Sequence, residues 1–229
     1  MQALEFTDVR KGFDGKTVLN GFSAKVSGTG LTFIVGKTGS GKSVLCRLAA
    51  GLLRSDGGTI HLLGQDVGAL PERGLQRLRA QAPYLVQGPA LLDWLSLEEN
   101  VSLTSAGSLS DGRAAHALER VGLKDFGQRR PTEVGPGVKK RAAIARALVL
   151  APAFMLLDEP TTGLDRDARA QVNACIEGLR ESGQGAVIVS HDYAALAAMA
   201  DHVVEVSNGK KGYEGDREGF LKYRRTATP

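Results

Sequence analysis

Short apolar runs bounded by glycine alternate along the chain with segments of helical spacing. Residues 31–35 (LTFIV), 154–158 (FMLLD) and 187–191 (VIVSH) read as continuous buried strands, and 42–53 (KSVLCRLAAGLL) as a helix. Strands that are apolar on both faces need cover on both, so the pattern predicts a mostly parallel, helix-covered sheet and an α/β fold. The first thirty residues and the segment 59–64 (TIHLLG) are more polar and are broken by DG, GTG and DGG turns, which predicts an antiparallel part. From Gln87 to Pro152 the strand signal stops. There LSLEENVSL, DGRAAHALERVGL and VKKRAAIARALVL carry helical spacing, so 88–150 is expected to be a helical subdomain inserted in a single domain, 1–229. The basic tail after Gly219 is expected to form a closing helix that frays at its end.

One junction in this pattern carries chemistry. Gly36, Lys37, Thr38, Gly39, Ser40, Gly41, Lys42 and Ser43 fit G-x-x-x-x-G-K-[ST], directly after the apolar strand and directly before the helix. A triphosphate needs many short donors close together. Glycines let main-chain NH groups wrap its oxygens, and the helix start adds its positive end. The reading is a P-loop NTPase binding ATP with Mg²⁺: Lys42 reaches the β and γ phosphates and the Ser43 hydroxyl ligates the metal. The alternative is a glycine-rich turn that binds nothing.

FMLLDEP closes the second apolar run on consecutive carboxylates, and neighbouring residues on a strand point to opposite sides. Asp158 is therefore expected in the metal shell and Glu159 beside the attacking water as general base. The alternative is a pair of solvated carboxylates at the mouth of a sheet. His191, at the end of the next apolar run, is expected at the same sheet edge, with a purely structural role as its alternative. His61, His116 and His202 lack such neighbours and read as surface or satisfied core residues.

Composition narrows the partners. The 229 residues are 42% hydrophobic and 24% charged, and Lys+Arg 29 against Asp+Glu 25 gives +4. The basic residues fall in scattered groups such as Arg129-Arg130 and Lys139-Lys140-Arg141, read mostly as a solvated face; a dedicated nucleic-acid binder concentrates charge more, so no nucleic acid is expected. Cys46 and Cys175 lack metal-site spacing and are too few for a disulfide framework, which fits a reducing cytosol. No segment approaches the roughly 18 to 20 apolar residues of a membrane span.

In this order the elements resemble the nucleotide-binding subunit of ABC transporters, along nearly the whole chain. The resemblance implies a RecA-like core with an antiparallel β subdomain and an inserted helical subdomain. It also implies Phe13 as the aromatic that stacks on adenine, Gln87 as a loop glutamine at the metal and γ-phosphate, TTGLD (161–165) as the D-loop, and His191 as the switch histidine. For Phe13 the alternative is a half-buried strand aromatic. Partners implied are a second ATP-binding subunit, in a homo- or heterodimer, and transmembrane permease subunits, with this chain peripheral on the inner face of the cell membrane.

The family's Leu-Ser-Gly-Gly-Gln loop, which closes over ATP held by the opposite chain, is replaced here by Val134-Gly135-Pro136-Gly137-Val138. Gly135 lacks the hydroxyl, Pro136 lacks an NH donor, Gly137 keeps the second glycine and Val138 loses the amide. A charge-assisted hydrogen bond is worth roughly 1.5 to 3 kcal/mol, so losing one or two lowers closure or hydrolysis by tens- to thousands-fold. Two explanations stand: weak turnover in a symmetric dimer, or pairing with a different ATPase that completes the site.

Within the family, GSGKSVL, QGPALLDWLSLEENV, VKKRAAIARAL and VSHDYAALAAMADHV resemble ATPases of MCE-type phospholipid transporters, which implies lipid cargo and an MCE-domain partner. QGPALLDWL also resembles nitrate and sulfonate importers, an alternative cargo class. A soluble ABC-type ATPase, and an ATP-binding subunit with weak hydrolysis, stay open beside these. Trp94 and its leucines are expected either to line a permease groove or to form the core of the helical part.

Overall fold

The computed structural model describes residues 2–104 and 112–227. The start of DGRAAHALERVGL at Asp111, the 105–111 stretch of the expected helical subdomain and the last two residues of the tail lie outside the described residues.

The polar N-terminal strands pair as an antiparallel hairpin, β1 (Gln2–Phe13) with β2 (Lys16–Ser27). β4 (Gly57–Leu62) and the short β5 (Gln65–Asp66) complete a four-stranded sheet in the order β2-β1-β4-β5. Its buried positions alternate with exposed ones, and Leu4, Phe6, Leu19, Phe22 and Ile60 form one apolar layer with helix α1 (Lys42–Ala49).

The second sheet has six strands. β3 (Leu31–Val35), β8 (Gly185–Val189) and β7 (Phe154–Asp158) run parallel at its centre, and every residue in each is buried. β6 (Tyr84–Leu85) adds in parallel beside β7, β9 (His202–Ser207) in parallel beside β3, and β10 (Lys210–Asp216) antiparallel at the edge. The run read as VIVSH starts earlier than expected, at Gly185, and the strand stops at Val189, so His191 stands past its end.

α2 (Glu72–Gln81) joins the two sheets in sequence, and α6 (Arg166–Glu181), α7 (Tyr193–Met199) and α8 (Arg217–Ala227) complete the cover. Between β6 and β7 the chain forms α3 (Leu97–Ser102), α4 (Arg113–Arg120) and α5 (Pro136–Leu148), with two short 3₁₀ turns between α4 and α5. Ser96 and Glu99 cap α3 reciprocally: the Ser96 hydroxyl accepts from the Glu99 amide and the Glu99 carboxylate accepts from the Ser96 amide. Leu97, Val101, Ala117, Leu118 and Ile144 merge with the core of the parallel sheet. The C-terminal ends of β3, β7 and β8 thus open on one edge, where the loops that follow them meet.

Candidate functional site

The loop after β3 is shaped by its glycines. Gly36 has φ 151°, and a Cβ there would lie 2.3 Å from the Val206 carbonyl oxygen and 2.8 Å from Ser40 Oγ, so no other residue fits. The turn delivers Gly41 as the N-cap of α1, followed by Lys42 and Ser43 in its first turn, where the unpaired NH groups of a helix start lie. Lys42 is buried and its Nζ donates across the loop to the carbonyls of Gly36 (2.9 Å) and Lys37 (3.1 Å). Burial pushes its pKa down, with Glu159 and Asp158 opposing.

Asp158, the last residue of β7, is 3% exposed and accepts two hydroxyl hydrogen bonds, Ser43 Oγ at 2.8 Å and Tyr84 OH at 2.7 Å. Tyr84 was not singled out by sequence reasoning. Burial and then the bond to Asp158 raise its phenol well above its ordinary value. Glu159 does not separate from Asp158 by strand alternation: it has left the strand, with φ 49°, and its amide donates to the Val189 carbonyl at 2.9 Å. Its Oε2 meets His191 Nδ1 at 2.8 Å and accepts from Thr162 Oγ1 at 2.9 Å. The two carboxylates therefore have separate partner sets, as different roles require.

A cleft of about 430 Å³ is lined by Phe13, Val18, Thr38, Gly39, Gly41, Lys42, Ser43, Val44, Gln87, Glu159, Thr162 and His191. Phe13, at the hairpin end of β1, is 41% exposed, with Lys11 Nζ 5.2 Å from its ring centroid. The cleft thus gathers an exposed ring, a phosphate-type loop, an amide and a supported carboxylate. Gly36, Lys37, Ser40 and Asp158 flank or underlie it, and the buried Ser40 Oγ has no hydrogen-bond partner among the described residues.

Gly135 and Gly137 are not in this cleft. Gly135 is the exposed N-cap of α5 and Pro136 its first residue, while Gly137 is buried, its α-carbon so close to α6 that a Cβ would lie 2.6 Å from that of Ala168. In the helical part, Trp94 is 70% exposed and so is not part of its core. Lys140, read in the sequence as part of a solvated basic group, is instead 6% exposed: its Nζ donates to the Gln87 carbonyl and lies 3.4 Å from the Glu159 carbonyl. His202, expected to be exposed or satisfied, has a buried Nδ1 without a partner among the described residues.

The donor set suits Mg²⁺: a hydroxyl, a carboxylate already bonded to that hydroxyl, and an amide are hard oxygen donors, and Mg²⁺ commonly takes only one or two carboxylates beside substrate phosphates. Among the described residues no helix is long and apolar enough to cross a membrane.

Residues 19–162, more than half of the chain, match the ABC transporter family profile. The aliphatic sulfonates import ATP-binding protein of Cupriavidus necator is 37% identical over 209 residues, covering 91% of this chain and 67% of that protein. The methionine import ATP-binding protein of Rhizobium johnstonii is 34% identical over 220 residues, covering 93% and 61%. In fold, the chain is similar to the cbiO1 subunit of Clostridium perfringens, part of the ABC transporter complex cbiONQ, with TM-score 0.88, 25% identity and coverage of 98% and 92%. It is also similar to the dimeric ATP-binding cassette MJ0796 bound to ADP and Pi, with TM-score 0.84, 24% identity and coverage of 93% and 98%.

Proposed function

Because the chain belongs to the ABC transporter family of ATPases, we propose that it is the ATP-hydrolysing subunit of an importer for a small organic solute. The observation that carries the ATPase part is the single cleft holding Phe13, Thr38, Gly39, Gly41, Lys42 and Ser43 of the glycine-rich loop, Gln87, Glu159 and His191. The sulfonate and methionine importers among its relatives support the importer part. They favour it over the phospholipid reading and lend no support to an MCE-domain partner.

In this reading the adenine stacks on the exposed Phe13 ring, and the main-chain amides of 36–43, the start of α1 and Lys42 hold the phosphates. Ser43, Asp158 and Gln87 would hold Mg²⁺, and the ion would supply positive charge against the phosphates. Glu159 takes a proton from the attacking water. His191 and Thr162 hold its Oε2 and so fix the carboxylate that does this. The chain works in a dimer with itself or with a second ATPase, docked on permease subunits at the inner face of the membrane, and the 88–150 region forms the subdomain that faces them.

Glu159→Gln tests the assignment of the base. The variant is expected to bind Mg-ATP within threefold of wild type and to lose at least a hundredfold in single-turnover hydrolysis; unchanged hydrolysis would remove Glu159 from this role. Isolation of the native complex with identification of its subunits tests the importer reading, which expects a permease with a solute-binding component; an MCE-domain subunit would overturn it.

A further inference from the structure

Two cations of α5, Lys140 buried and Arg146 half-buried, grip the loop that follows β6. Lys140 Nζ donates to the carbonyl of Gln87. Six residues on, or about 9 Å along the helix, Arg146 donates through Nη2 to the Pro89 carbonyl at 3.1 Å and through Nη1 to the Ala90 carbonyl at 2.6 Å. Three of the four carbonyls from Gln87 to Ala90 are thus held by one helix, and Ala90 is kept at φ 47°, a conformation costly for alanine.

These contacts are expensive to make. Burial pushes the Lys140 ammonium below its ordinary value against the pull of Asp158 and Glu159, and does the same to the Arg146 guanidinium. Neutral carbonyls return less Coulomb energy than a carboxylate would, so an apolar residue in either place would cost less to bury. What the charged ends provide is reach and direction onto a main chain, which leaves the Gln87 side chain free to line the cleft.

We propose that Lys140 and Arg146 are positioning residues that clamp the Gln87–Ala90 loop to α5, so that the loop and α5, capped at Gly135, move as one body. A displacement imposed at the exposed α5 N-terminus by a facing chain is then passed to Gln87 in this chain's own cleft. Lys140 extends the same body to the main chain of Glu159. The catalytic consequence rests on the ATPase reading above; the clamp itself does not.

Hydrogen exchange of the nucleotide-free full chain tests the clamp directly. In Lys140→Met, residues 87–92 are expected to exchange at least threefold faster than in wild type, with 31–49 unchanged, and Lys140→Arg is expected to restore the wild-type rate. Equal exchange at 87–92, or acceleration of every segment alike, would overturn the proposal. In single-turnover hydrolysis, Lys140→Met is expected to lower the maximal rate about tenfold with half-saturation by Mg-ATP within threefold, and to cost nothing further when Gln87 is already alanine. Additive losses would show that Lys140 does not act through Gln87. If the wild-type chain binds no Mg-ATP, the ATPase reading fails, and the clamp is decided by exchange alone.

Discussion

Asp158 shows how a buried carboxylate is made tolerable by hydroxyls alone. At 3% exposure it is held by the hydroxyls of Ser43 and Tyr84, each on a different element. Tyr84→Phe removes one donor and leaves an oxygen of a buried charge unsatisfied, a loss of about 1 to 3 kcal/mol that urea denaturation at neutral pH will measure. An unchanged midpoint and slope would show that Asp158 does not depend on this bond. The pH dependence has a definite sign. The Tyr84 phenol is raised in the folded chain, so its contribution is complete below the ordinary value near 10 and is lost as pH rises above it. Wild type is therefore expected to lose stability above about pH 10 more steeply than Tyr84→Phe.

The N-terminus of α5 is the element on which the family resemblance breaks. Gly135 and Pro136 are exposed, and the proline sits at the first helical position, where its missing NH disturbs no internal bond. The helix therefore forms normally while offering fewer donors to a facing chain. Gly137 is different in kind: a Cβ there would meet that of Ala168 at 2.6 Å, so it fixes the approach of α5 to α6. Gly137→Ala is expected to cost about 1 to 3 kcal/mol in chemical denaturation, as overpacking does. A cost below about 0.5 kcal/mol would show that the helices separate freely.

Elements of this kind were legible in the sequence to unequal degrees. The buried strands β3, β7 and β8 announced themselves because helices cover both their faces, and the phosphate loop because its residues are consecutive. The β9–β10 hairpin had a local signal too, Asn208-Gly209, both at positive φ, that sequence reading passed over. Tyr84 and Lys140 left no local signal of a role, and Thr162 was marked only as part of the TTGLD stretch, with nothing to tie it to Glu159. Each acquires its partner from another element, and Lys140 sits in a KKR run that on its own describes a solvated face.

At the scale of the whole molecule, the chain assembles its own cleft and holds its altered loop elsewhere, at the exposed α5 N-terminus. That division sets what a second chain must supply. If Glu159→Gln blocks turnover and ATP closes two chains on each other, the strength of closure reports the donors offered by the facing loop. Restoring them with Gly135→Ser, Pro136→Gly and Val138→Gln adds a hydroxyl, a main-chain NH and an amide. At roughly 1.5 kcal/mol or more for even one charge-assisted bond, dimerisation should tighten at least tenfold. Sedimentation velocity of the Glu159→Gln chain in Mg-ATP is accordingly expected to show mainly monomer, and the restored variant mainly dimer, with both monomeric in the absence of nucleotide. Equal dimerisation of the two would mean that Gly135 and Pro136 cost nothing in closure, and the argument for a different partner ATPase would go with it.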